Sequence, residues 1–235
     1  MGDLGATPSL VLLPGLDGTG VLFQPFIEVL PPHFAPQVVT YPSDEPLGYE
    51  ELLPRVLDSL PPKTPYLLLG ESFSGPLALM VAARRPPGLR GIVLSATFIR
   101  NPLRFHPSWA HRLVGDWMFR WFPELSQTRA LLGGQSTRAR RDLVKEALSA
   151  VRPEVLAHRL RAVLQVDVRR ELRDCPVPVL YLQAEQDWVV HAHNAAETKS
   201  CRPDVEVVKI PSPHLLLQTQ PRLALQAISE FFGQS

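Results

Sequence analysis

Six short apolar runs recur along the chain, at residues 10–13, 38–41, 66–69, 92–94, 179–182 and 205–208, each closed by turn residues. The first, third, fourth and fifth have no polar face, and a strand of that kind is stable only when both of its sides are covered. Between the runs lie stretches of helical period at 49–60, 74–85, 193–200 and 223–232. Strands alternating with helices mean βαβ units and a doubly wound, mostly parallel α/β sheet of about six strands. Right-handed crossovers then put helices on both faces. Pro54 falls inside the first helical stretch and predicts a kink or a late start there.

Between positions 100 and 173 the rhythm fails. This stretch holds fifteen Lys/Arg and seven Asp/Glu, a balance of +8, whereas the remainder of the chain is at −7. It contains no convincing strand. Residues 138–150 and 153–164 have helical spacing, Gly133-Gly134 reads as a turn, and Trp109, Trp117, Phe119, Trp121 and Phe122 crowd its first half. The expected organisation is therefore a core made of residues 1–101 and 173–235, with 102–172 inserted as a helical cap.

Composition closes off several classes of function. A net charge of +1 offers nucleic acid no basic surface. No apolar run approaches the roughly 18–20 residues that cross a bilayer. Met1-Gly2-Asp3-Leu4 lacks the basic region of a secretory signal, so a cytoplasmic protein is expected. Cys175 and Cys201 form neither a disulfide framework nor a metal motif and read as reduced thiols.

The chemistry lies where strands end. The third run leads into Gly70-Glu71-Ser72-Phe73-Ser74-Gly75 and then into a helix. Strand, sharp turn and helix make a G-x-S-x-G-like string a nucleophile elbow, with the Ser72 hydroxyl aimed out of the sheet's carboxyl edge. Ser74 stands where the pattern has its second glycine, and Gly75 follows it. A serine hydroxyl needs a base, and the base needs an orienting acid. Asp187 follows the fifth run and His214 the sixth, so both fall at the edge where ligands bind in open α/β sheets. Asp187 is favoured over Glu185, because the loop must turn before its carboxylate can face the ring. His33, His106, His111, His158, His191 and His193 read as surface or packing residues. The oxyanion donors are assigned to the backbone N–H groups of Phe73, after the nucleophile, and Leu16, in the Gly-rich loop after the first run. No Gly-Lys-Ser/Thr follows that loop, which argues against phosphate binding.

With Leu-Pro-Gly-Leu-Asp-Gly-Thr-Gly and Gly-Glu-Ser-Phe-Ser-Gly in place, the sequence resembles the α/β-hydrolase fold superfamily. Within it, the likeness is to small bacterial carboxylesterases with a helical cap and to the hydrolase-like domain of plastid acyltransferases that esterify phytol. Pro14 replaces a histidine familiar at that position. With about nine residues before the first run, the resemblance implies that the fold's usual first two strands are missing and that the second strand here is an edge.

The leading expectation is a serine esterase cleaving esters of short-to-medium acyl chains through an acyl-serine intermediate, with no metal or organic cofactor. The same residues could serve an acyltransferase or a thioesterase, or the pocket could be a receptor without turnover. A peptidase is disfavoured, since nothing in the cap suggests a carboxylate cluster for a substrate amine. The expected partner is a small-molecule ester or acyl compound. The basic cap suits an acidic partner such as an acyl carrier protein, against the plainer reading of solvated, arginine-rich helix faces.

Overall fold

The first, third, fourth and fifth apolar runs form strands buried on both faces. In β1 (Ser9–Leu13), Val11 and Leu13 pack into one hydrophobic core while Leu10 and Leu12 pack into another on the opposite side. In β3 (Tyr66–Glu71), Leu68 belongs to the first core and Leu67 and Leu69 to the second. This period-two division follows from the pleat. The computed structural model describes residues 9–32, 34, 36–62, 64–103, 110–121 and 124–233. Trp109 and Phe122 of the expected aromatic cluster, and the first eight residues, lie outside the described residues.

Between β1 and β3 come α1 (Gln24–Ile27), β2 (Pro36–Val38) and α2 (Tyr49–Ser59). After β3 come α3 (Ser74–Ala83) and β4 (Leu89–Ser95). Among the described residues five α-helices follow before the next strand: α4 (Trp117–Trp121), α5 (Glu124–Leu132), α6 (Arg138–Ser149), α7 (Pro153–Val163) and α8 (Arg169–Arg173). The chain ends with β5 (Val179–Ala184), α9 (His193–Cys201), β6 (Glu206–Ile210), α10 (Leu216–Thr219) and α11 (Pro221–Phe232). Among the described residues no helix is long and apolar enough to cross a membrane.

All six strands pair in parallel, in the order β2-β1-β3-β4-β5-β6. Both edges look like edges, with Pro36 opening β2 and the exposed Glu206 and Lys209 on β6. The second strand lies earlier than the pattern at 38–41 predicts. Val39 still donates to the Leu12 carbonyl, but Tyr41 donates to Gly18, so the chain has peeled off the sheet into the loop after β1. Val39 and Tyr41 remain buried, and their apolar character serves packing rather than pairing. Nor does Pro54 delay its helix, since α2 starts at Tyr49 and runs through it. Pro54 sits on the exposed face, while Tyr49, Leu52 and Val56 face the core.

Strand order reverses between β1 and β3. At such a switch point two neighbouring strands send their following loops apart and leave a crevice at their carboxyl ends. The loop after β1 and the turn after β3 flank that crevice.

Candidate active site

At the end of β3 the chain turns so tightly that Ser72 takes φ 48°, in the left-handed region that non-glycine residues rarely adopt. The turn survives because its neighbours are small. A Cβ on Gly70 would lie 2.4 Å from the Ser74 carbonyl oxygen, and one on Gly75 would lie 2.1 Å from Thr97 Oγ1. The Ser72 N–H donates to the Ser95 carbonyl at 2.9 Å, and Thr97 Oγ1 donates to the Ser72 carbonyl, so the strained residue is held from β4 and the loop beyond it.

The loops after β5 and β6 bring two more groups to the same place. His214 Nε2 lies 3.0 Å from Ser72 Oγ, and His214 Nδ1 lies 2.8 Å from Asp187 Oδ2. The other carboxylate oxygen, Oδ1, accepts the N–H groups of Val189 and Val190, both at 2.8 Å. Asp187 is therefore saturated and fixed in orientation, whereas Glu185 points to solvent. Burial pushes the His214 imidazole down, but the Asp187 charge, its hydrogen bond and the nearby Glu71 more than reverse this, leaving the ring more basic than a free histidine.

The loop after β1 supplies the opposite wall. The N–H groups of Leu16 and Phe73 are engaged by no other group among the described residues. The Leu16 loop is gripped by Arg159 from α7, which is fully buried. Its Nη1 donates to the carbonyls of Leu16 (2.9 Å) and Asp17 (2.8 Å), and Nη2 donates to Pro42 (2.8 Å). The guanidinium lies 5.5 Å over the Tyr41 ring. Gly18, at φ +72°, is needed here, because a Cβ would come within 2.6 Å of Arg159 Nη1. Tyr41 Oη is hydrogen-bonded to Ser74 Oγ at 2.7 Å, and Ser74 Oγ donates to the Pro14 carbonyl. Ser74 is thus more than a tolerated stand-in for glycine, since its hydroxyl ties the elbow helix to the Leu16 loop. Sequence reasoning did not single out Arg159 or Tyr41 as site residues.

Glu71, just before Ser72, is buried, and its Oε1 accepts from Gln218 Nε2 at 2.9 Å. Burial pushes its carboxyl up to about 7, with Asp17 adding to the shift and Gln218 and His214 opposing it. Between the ordinary value of 4.5 and about 7 the folded protein holds a proton that the unfolded chain has released. Stability must fall as pH rises through that window, by up to ~3 kcal/mol once it is crossed. Glu71→Gln removes this titration. Urea unfolding at pH 5 and pH 8 should show the variant gaining on the native protein at the higher pH, and a stability difference independent of pH would contradict the assignment.

A family model described as "Serine aminopeptidase, S33" matches residues 51–209, more than half of the chain. The chain belongs to this hydrolase family. The S33 match contains Ser72 and Asp187 and stops short of Leu16 and His214. Pimeloyl-[acyl-carrier protein] methyl ester esterase of Nitrosospira multiformis is 29% identical, over 89% of this chain and 88% of its own. Phytyl ester synthase 1, chloroplastic, of Arabidopsis thaliana is 36% identical over 106 residues, which are 41% of this chain and 15% of that protein. The crystal structure of the enol-lactonase from Burkholderia xenovorans superposes with a TM-score of 0.78 at 17% identity, covering 99% of this chain and 94% of that one. The S33-family chain therefore has the α/β-hydrolase fold.

In this family member the site opens into a cavity of about 490 Å³. Every lining residue contributed by the helices and loops between β4 and β5 is apolar, among them Met118, Phe119, Leu131, Val144 and Leu148. Trp188, beside Asp187 and 60% exposed, stands at the rim. The same helices are tied to the His214 loop. Leu215 donates its N–H to the Leu131 carbonyl (3.1 Å), Gln135 donates to Pro211 (3.1 Å) and Arg140 Nη2 donates to Thr219 (3.3 Å). Among the described residues no group of three acidic, histidine or cysteine side chains could hold a metal ion.

Proposed function

We propose that the protein hydrolyses carboxylic esters of short-to-medium acyl chains through an acyl-Ser72 intermediate. The observation that carries this reading is the continuous relay from Ser72 Oγ through the His214 ring to Asp187, with contacts of 3.0 and 2.8 Å. In this scheme Ser72 Oγ attacks the ester carbonyl and passes its proton to His214 Nε2. The carbonyl oxygen becomes an oxyanion held by the Leu16 and Phe73 N–H groups. Collapse expels the alcohol, which takes the proton from the imidazolium. Water then attacks the acyl carbon, gives a proton to His214, and releases the acid as Ser72 regains its hydroxyl. Asp187 holds the ring in the tautomer that presents a bare Nε2 to the serine and stabilises the imidazolium.

The acyl chain is assigned to the apolar cavity. Among the described residues no Lys or Arg side chain lines it, so a chain ending in a free carboxylate would meet no such partner there. The volume of about 490 Å³ suits a small to medium ligand. A p-nitrophenyl ester series from acetate to palmitate is the test. The expected outcome is a kcat/KM maximum at butyrate to octanoate, falling at least about tenfold by palmitate. A flat and negligible response would shift the reading to acyl transfer or to a receptor.

Two features favour refinements. The likeness to a phytyl ester synthase supports acyl transfer from the same intermediate when an alcohol outcompetes water. Adding a long-chain alcohol to the assay and measuring ester formation against acid release separates the two. Likeness to esterases of carrier-bound esters, together with the exposed Arg138 and Arg141 on α6, supports an acidic carrier as the bearer of the substrate.

A further inference from the structure

The relay from Ser72 to Asp187 needs no other carboxyl, yet Glu71 stands beside it, 2% exposed and lining the cavity. Burying a carboxyl is costly unless it is hydrogen-bonded. Among the described residues the carboxyl has one hydrogen bond, which spans 147 residues, to Gln218 Nε2 at 2.9 Å. Gln218 lies in α10, four residues beyond His214. The bond therefore joins the residue before the nucleophile to the helix that follows the base. Among the described residues Gln218 Oε1 is buried without a partner, so the polar contact of this amide is the one with Glu71. Two charged groups face the Glu71 carboxyl: Asp17 from the loop after β1 and His214 from the loop after β6. Asp187 stands behind the ring, and Arg159 from α7 holds the Asp17 carbonyl. A Cβ on Gly15 would lie 3.6 Å from Asp17 Oδ1 and 3.9 Å from Glu71 Oε2, so the two acids flank the residue before Leu16.

We propose that Glu71 is a positioning residue for acyl transfer, acting on His214 by two routes. The Gln218 bond fixes the segment that carries the ring. The carboxylate charge adds to that of Asp187 in holding the imidazolium formed when Ser72 gives up its proton. This rests on the acyl-Ser72 reading and deepens it, since Glu71 itself exchanges no proton with the substrate.

The test compares the native chain with Glu71→Gln, Glu71→Asp and Ser72→Ala on p-nitrophenyl butyrate between pH 5 and 9. Glu71→Gln keeps an oxygen for Gln218 and removes the charge. It should move the acid limb of kcat/KM to lower pH by about one unit and lower kcat at pH 8 by about tenfold, with KM unchanged. Glu71→Asp should hold the acid limb near its native position. A Glu71→Gln profile superimposable on the native one, a raised kcat at pH 8, or equal losses in the Gln and Asp variants would overturn the proposal. Ser72→Ala keeps the two readings apart. Near-native turnover in that variant would remove the acyl-serine scheme itself, whereas its loss together with an unmoved Glu71→Gln limb removes only the role of Glu71.

Discussion

Ser72→Ala is expected to lower kcat on p-nitrophenyl butyrate by about 10⁴- to 10⁶-fold, with little change in KM. The cavity assigned to the acyl chain in this proposal does not depend on the hydroxyl, so binding should survive the loss of Ser72 Oγ. His214→Ala should cost a similar factor, because an unassisted serine hydroxyl at 3.0 Å from an empty position is a poor nucleophile at neutral pH. The double variant should fall little further, since the two groups act as one unit. Multiplying losses would mean that they serve separate steps, and the scheme would fail. Steady-state kinetics on the three variants, with circular dichroism to check folding, settles the matter. The residual rate should be that of the oxyanion donors and the cavity alone.

The second large effect is expected from Arg159→Met. The side chain is comparable in length but cannot donate, so the carbonyls of Leu16, Asp17 and Pro42 lose their partner together. Leaving buried carbonyls unpaired costs roughly 1–3 kcal/mol each. Part of this is offset, because the guanidinium no longer has to be held away from water and, among the described residues, it has no carboxylate in ion-pair contact. A net loss of ~3 kcal/mol is expected, seen as a fall in Tm of roughly 6–12 °C for a chain of this size. The rate should fall further than stability suggests, by about 10²-fold, since the freed loop carries the Leu16 donor. Arg159→Lys should not restore either property, because one ammonium cannot serve carbonyls that the planar fork reaches in two directions. A methionine variant with native Tm and native kcat would show that the loop is set by other contacts.

The contrast between these two predictions marks what could be read from sequence. The strands that carry Ser72 and Asp187 announce themselves, because a covered parallel strand must be apolar on both sides and must end in a turn, and the strand before His214, although an edge with exposed Glu206 and Lys209, is marked by its valines and its closing prolines. Local pattern was enough there. β2 slipped by two residues because Val39 and Tyr41 are as apolar as strand residues, and only the Gly18 carbonyl, which accepts from Tyr41, takes the chain off the sheet after Val39. Arg159 was hidden among fifteen cations, although its place was marked. It falls on the same stripe as Val155, Leu156 and Val163, the buried face of α7, where an arginine is out of keeping. Ser74 read as the next smallest residue after glycine, and its hydroxyl contacts depend on Tyr41 and Pro14, thirty-three and sixty positions away. Gln218 left no local signal at all, because its meaning lies wholly in a partner 147 residues distant.

The helices between β4 and β5 that line the cavity are bound to both walls of the proposed reaction centre, as a roof over it, by Arg159 on the Leu16 side and by Leu131, Gln135 and Arg140 on the His214 side. A roof attached in this way cannot be exchanged as a module. A chimera that takes these helices from another hydrolase inherits a misaligned centre unless the four anchoring residues travel with them. Divergence in substrate choice is left to the apolar lining between the anchors, where one side chain can be resized without disturbing the atoms that react.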